Sequence, residues 1–209
     1  MLTELARKWS RNIITPIAQG LGRVGLTPDM LTVIGFFFNV VVAIVLAQGE
    51  RWWLLGAVLL ILSMGFDALD GTLARSTGKV TVFGGFLDST LDRFSEAVIY
   101  LALLYTYLTT ATPHTLEPIL IYLTIVGSLM VSYTRARAEG LGLQLKEGLF
   151  TRLERIIVLV LGLALTPFFG NSAMLVVLLL LAIGTNVTAV QRLLIVRGKL
   201  AHRDLSSQK

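Results

Sequence analysis

The chain has 209 residues, no cysteine, 55% hydrophobic and 15% charged residues, and a formal net charge of +5. Those proportions, with a mean hydropathy of +0.76, exclude a disordered chain, a disulfide-stapled module and a soluble domain with one ordinary core. The basic residues flank apolar segments instead of gathering on one face, which predicts an all-α integral membrane protein surrounded by membrane lipids, with no nucleic-acid partner.

In chain order, residues 1–29 mix Glu4, Arg7, Lys8, Arg11 and Arg23 with apolar residues and lack the h-region of a signal peptide. Leu2, Leu5, Trp9, Ile13, Ile14 and Ile17, set against Arg7, Lys8 and Arg11, predict an amphipathic helix lying in the membrane interface. A membrane-spanning helix needs about 20 predominantly apolar residues. Six segments qualify: 30–48, 52–75, 84–108, 117–139, 151–169 and 172–197. Met30–Gln48, Trp52–Phe66 and Asn171–Val190 carry no charge, whereas the other three spans carry charge at one end. Trp52 and Trp53 fit the aromatic belt of a membrane interface. Residues 30–198 therefore read as one six-helix domain, followed by a polar tail at 199–209.

Six spans put both termini on one side, together with the connections between spans 2 and 3 and between spans 4 and 5. That side holds 17 of the 18 Lys and Arg residues, leaving only Arg51 opposite. The bias predicts cytoplasmic termini for a multi-pass protein of the cell membrane. The opposite connections are short or weakly charged, so any chemistry sits on the cytoplasmic helix ends.

Ionisable residues inside membrane helices are costly, and functional by default. Four of the 13 acidic residues fall between positions 67 and 92. Asp67 and Asp70 are three apart and Asp88 and Asp92 four apart, so each pair shares one helix face. The connection Ser76–Phe83, with Gly78 inside it, is short enough to force an antiparallel hairpin in which the two pairs face each other. Carboxylates so close repel, and a divalent cation removes the conflict. An oxygen-only set without His or Cys selects a hard ion, Mg²⁺ or Mn²⁺, and two ions suit such a set. Gly71, Ala74 and Gly84 leave room for a ligand against the helix backbone, and Arg75 is placed to meet phosphate oxygens. Together these features point to phosphoryl transfer on a pyrophosphate substrate. A divalent-cation transporter is the rival from another class; transporters tend to show internal repeats and broken helices at the midplane. Here no repeat is found, and the carboxylates lie at helix ends.

The same stretch resembles the CDP-alcohol phosphatidyltransferase signature D-x2-D-G-x2-A-R-x8-G-x3-D-x3-D. It matches at every fixed position: Asp67, Asp70, Gly71, Ala74, Arg75, Gly84, Asp88 and Asp92. The resemblance implies transfer of a phosphatidyl group from a CDP-linked lipid to an alcohol, release of CMP, a divalent cation and a homodimer. It implies that Asp67, Asp70 and Asp88 hold metal and that Asp92 is the catalytic general base, also touching metal. Gly71, Ala74, Arg75 and Gly84, with Asp67, would shape the CDP-lipid site. The Pro28-Asp29 step, followed by Thr32, Gly35 and Asn39 on one helix side, resembles the family's entry to its first span, which implies nucleotide contacts at Asp29 and Thr32. A plain helix start, with Thr27 or Asp29 as N-cap and Pro28 near the first position, is the other reading.

A second basic cluster bears on the acceptor. Ser132, Arg135 and Arg137 end span 4, Arg152 and Arg155 start span 5, and Arg192 ends span 6. Arg135 and Arg137 are two apart and point in different directions, which turns one of them inward; Arg152 and Arg155 share a face. Arginine suits bidentate phosphate capture, so a convergent pocket implies an acceptor that already carries phosphate. Lys199, Arg203 and the tail read instead as anchors reaching lipid headgroups. The runs 132–140 and 152–155 resemble the phosphatidylinositol-phosphate synthase branch and its archaeal relatives. That implies inositol phosphate as acceptor, held by Ser132, Arg135, Arg137, Arg155 and Arg192, with glycerol 3-phosphate as the alternative. His114 and His202 lie far along the chain from the carboxylates, and neither reads as a ligand.

Overall fold

Apolar runs, interrupted by capping residues and glycines, make this chain a succession of helices. The computed structural model describes residues 14–145 and 147–207. Most of the predicted amphipathic helix, including Leu2, Leu5 and Trp9, lies outside the described residues. Residues 14–23 form α1. There follow α2 (Pro28–Leu46), α3 (Trp53–Thr77), α4 (Val82–Thr109), α5 (Leu116–Gly140), α6 (Arg152–Phe169) and α7 (Asn171–Ser207), with a 3-10 turn at Glu50–Trp52.

Thr27 caps α2: its Oγ1 accepts from Met30 N at 3.2 Å, with Pro28 in the first turn. Helix α3 stops at Gly78, whose φ of 68° lies in the left-handed region that favours glycine. Thr81 Oγ1 then accepts from Gly84 N at 2.9 Å to start α4. The turn is as short as the sequence predicts, yet α3 and α4 do not pack along one another. Helix α2 packs on both of them, α6 on α3, α5 on α4, and α7 on α5 and α6. The predicted hairpin is thus an opened one, and it is the gap between its arms that becomes useful.

The core is aliphatic and aromatic, built from residues such as Val42, Leu46, Leu60, Leu103, Ile121, Leu163 and Leu178. Trp53, predicted at the interface, is fully buried instead. Its Nε1 donates to Leu46 O at 3.2 Å, and its ring meets Tyr107 edge-on at 5.8 Å. Trp52 does stand outside, with the Arg51 guanidinium 5.6 Å from its ring. At Gly127 an added Cβ would come 2.2 Å from Thr185 Oγ1, so α5 and α7 approach closely only because that side chain is missing.

Among the described residues, four helical stretches are long and apolar enough to cross a membrane: Pro28–Leu46, Glu50–Thr77, Leu116–Gly140 and Asn171–Ala201. Their outer faces expose apolar side chains, among them Phe37, Ile44, Leu62, Leu129 and Val176. Helices α4 and α6 fall outside that group because charge crowds one end of each: Asp88, Asp92, Arg93 and Glu96 in α4, and Arg152, Glu154 and Arg155 in α6.

Candidate active site

The turn at Gly78 places Asp67 and Asp70 near the end of α3 and Asp88 and Asp92 near the start of α4. The four carboxylates lie within electrostatic range of one another: the charge of Asp67 acts on Asp70, Asp88 and Asp92, and that of Asp88 on Asp70 and Asp92. Asp70 is buried, and its Oδ2 accepts from Thr32 Oγ1 at 2.8 Å, tying α2 to the cluster. Among the described residues, no three His, Asp or Glu side chains are grouped closely enough to enclose an ion. Instead Arg152 reaches in from α6. Its Nη1 lies 2.6 Å from Asp67 Oδ2 and 2.8 Å from Asp92 Oδ1. On the other side of Asp92, Arg93 Nη1 stands 3.9 Å from Oδ2 and also donates to Ser89 O. The donor chemistry fits a hard divalent ion: every candidate ligand is a carboxylate oxygen, and a cation already rests on two of them.

Two clefts meet at Asp88. The first, of about 320 Å³, lies where α2, α3 and α4 converge, and its lining includes Asp29, Thr32, Asp70, Gly71, Ala74, Arg75 and Gly84. It therefore gathers every residue predicted for the CDP-lipid except Asp67. The wall is tight at Gly84, where a Cβ would stand 2.9 Å from both Asp29 Oδ1 and Thr81 Oγ1. The second cleft, of about 1090 Å³, runs between α4 and α5 and is lined by Asp88, Asp92, Arg93, Ser132, Arg135 and Arg152 among others. A ligand in either cleft reaches Asp88.

The predicted acceptor residues divide. Ser132 and Arg135 line the larger cleft, with Arg135 Nε donating to Glu139 Oε1 at 2.8 Å. Arg137 lines neither cleft; both it and Arg135 are exposed, and of the two only Arg135 borders the site. Arg155 is buried. Glu96 accepts from its Nε at 2.6 Å and its Nη2 at 2.7 Å, while Phe150 O accepts from Nη1 at 3.1 Å. Arg192 is also buried, donating to Glu147 O at 3.0 Å and to Val131 O. Neither guanidinium lines either cleft.

Arg93, which lines the larger cleft, and Glu96, which holds Arg155 behind it, carry no expectation from the sequence, and Arg152, expected only as part of the basic cluster, sits on the carboxylates themselves. Glu96 had a signal, because it continues the four-residue spacing of Asp88 and Asp92 on one helix face. Lys199, predicted as a lipid anchor, instead donates to Gln144 O at 2.8 Å and Glu147 Oε1 at 2.9 Å, fastening α7 to the connection between α5 and α6. His114 sits away from the cluster, 3.0 Å from Glu117 Oε1.

Comparison with known proteins agrees with this geometry. The model of the CDP-alcohol phosphatidyltransferase family matches residues 25–191, which include both clefts. Phosphatidylinositol phosphate synthase from Mycobacterium tuberculosis is 38% identical over 197 residues, spanning 92% of this chain and 89% of that protein. The crystal structure of that synthase with CDP-DAG bound superposes with a TM-score of 0.82 at 37% identity, covering 88% of this chain and 94% of that one. Its crystal structure in complex with manganese and citrate has the same TM-score and identity, covering 88% of each chain. This chain is an enzyme that belongs to the CDP-alcohol phosphatidyltransferase family.

Proposed function

We propose that the enzyme transfers a phosphatidyl group from CDP-diacylglycerol to inositol phosphate and releases CMP. The observation that carries this reading is the meeting of two clefts at one carboxylate cluster, one walled by Arg75, Gly71 and Gly84, the other by Ser132 and Arg135. The smaller cleft takes the cytidine diphosphate, with Asp29 and Thr32 at its rim and Arg75 against phosphate oxygens. The larger takes the acceptor, its phosphate against Ser132 and Arg135. Arg137, Arg155 and Arg192 line neither cleft, and Arg155 is already paired with Glu96, so in this reading Ser132 and Arg135 carry the phosphate contact.

Asp67, Asp70, Asp88 and Asp92 would hold Mg²⁺ or Mn²⁺, two ions in our reading, and a bound ion neutralises pyrophosphate charge as the reaction proceeds. Asp92 accepts the proton of the acceptor's hydroxyl. The hydroxyl oxygen forms a bond to the lipid-bearing phosphorus, and the bond from that phosphorus to the CMP oxygen breaks, its electron pair leaving with CMP. The relative's manganese complex supports a divalent ion here. The positive-inside bias supports six spans in the cell membrane, with termini and site on the cytoplasmic side. A homodimer is the assembly we propose from family membership.

The test supplies purified protein with CDP-diacylglycerol and Mg²⁺ or Mn²⁺. It then adds inositol phosphate, glycerol 3-phosphate, inositol or serine in separate reactions, with CMP release measured. Inositol phosphate should give the fastest release, and a chelator should abolish it. Faster release with unphosphorylated inositol or serine rejects the phosphorylated acceptor; faster release with glycerol 3-phosphate moves the enzyme to that alternative.

A further inference from the structure

We infer that Arg152 is a displaceable counter-cation of the carboxylate cluster, holding the Asp67 and Asp92 oxygens until a divalent ion takes them, so that metal loading and the release of Asp92 from the guanidinium are one event. This rests on the four aspartates being the metal site. A single nitrogen, Nη1, bridges Asp67 Oδ2 and Asp92 Oδ1 at 2.6 and 2.8 Å. Asp67 Oδ2 accepts a hydrogen bond from that nitrogen, and Asp92 Oδ1 is ion-paired with it. A dication arriving at the same oxygens meets positive charge at contact range in a partly buried site, where screening is weak. One of the two cations must yield.

Arg152 is the one equipped to move. It lines the open cleft of about 1090 Å³ and also a small internal cavity of about 30 Å³, so its side chain borders free space. Its Nε is buried without a hydrogen-bond partner, and a pose turned toward solvent satisfies that donor. Arg155, one helical turn on, is the contrast. All three of its nitrogens donate, two to Glu96 and one to Phe150 O, so nothing is gained by leaving. Because Arg152 grips Asp67 and Asp92 together, the proposed base stays engaged as long as the guanidinium remains in place.

The experiment titrates full-length protein in detergent with Mn²⁺, following the electron paramagnetic resonance signal of the free ion. Arg152→Gln should bind Mn²⁺ about 10- to 100-fold more tightly than wild type, the scale of a charge-assisted contact that no longer has to be given up. Arg152→Lys keeps the charge and should bind between the two. A merely structural role moves affinity the other way, so equal or weaker binding by Arg152→Gln overturns the inference and leaves the metal-site reading standing. Wild-type protein that binds no Mn²⁺ overturns both. Should Arg152→Gln fail to fold, the wild type decides: phenylglyoxal labelling of Arg152, read by mass spectrometry, should rise on adding Mn²⁺. A fall or no change overturns the inference.

Discussion

Asp92 and Glu96 lie one turn apart on α4 and are asked to do different things. Asp92 faces the cleft between two guanidinium groups, whereas Glu96 is turned inward, where both its oxygens accept from the buried Arg155 and Ser128 Oγ donates to it at 3.1 Å. Asp92→Asn keeps the size and one acceptor oxygen but cannot take a proton. Turnover should fall by about 10²-fold or more while CDP-lipid binding persists, in line with general-base contributions. Equal loss of lipid binding and turnover would assign Asp92 chiefly to metal. Glu96→Ala strands a buried guanidinium, which costs about 3–5 kcal/mol, and the melting temperature in detergent should drop accordingly. Replacing both partners with neutral side chains of similar volume, Glu96→Gln with Arg155→Met, should recover most of that stability. A Glu96→Ala variant that melts with wild type would show that the pair contributes nothing.

At the scale of elements, the bundle depends on where helices can approach and where they are kept apart. Gly127 allows α5 to lie against α7, and an added methyl there meets Thr185 and Asn186. Gly127→Ala should therefore destabilise by about 1–3 kcal/mol through overpacking. Gly65→Ala is the control, since an added methyl there meets nothing within 4 Å. It should match wild type or gain up to about 1 kcal/mol from helix propensity. Thermal melting of the two variants in the same detergent checks the contrast, and equal melting would refute the close-packing account. Helix α7 is 37 residues long, about 55 Å at 1.5 Å per residue, well beyond the roughly 30 Å of a bilayer core. The surplus length is used. Arg192 and Lys199 fasten it to the connection between α5 and α6, which leads directly into Arg152.

For the molecule as a whole, the decisive quantity is the asymmetry of charge. All but one of the Lys and Arg residues fall on one side of the proposed topology, and both clefts open among the residues of that side. Because the chain has no cysteine, a single introduced thiol reports its own location without background. Leu149→Cys, in the exposed α5–α6 connection, and Thr112→Cys, in the exposed α4–α5 connection, should label from opposite faces of sealed cells. An impermeant maleimide added outside should reach Thr112→Cys and spare Leu149→Cys until the membrane is permeabilised. Labelling of both from one side would break the six-span topology.

The spacing of Asp67, Asp70, Gly71, Ala74, Arg75, Gly84, Asp88 and Asp92 was legible in the sequence because it is local. Three- and four-residue steps put side chains on one helix face whatever surrounds the helix, and a short connection brings two helix ends together. Apolar run length and Lys/Arg placement are equally local, and they sufficed for helix order and for the class of protein. What only the tertiary structure decided is pairing across the bundle. Nothing near Arg152 and Arg155 in sequence distinguishes them, yet one rests on Asp67 and Asp92 beside an open cleft while the other is locked onto Glu96 in the interior. Trp53, Lys199 and Arg192 likewise took roles that their neighbours along the chain do not specify. A guanidinium or an indole is committed by whichever acceptor lies within about 3 Å once α2, α4, α6 and α7 have packed, and that distance belongs to the packing and not to the spacing.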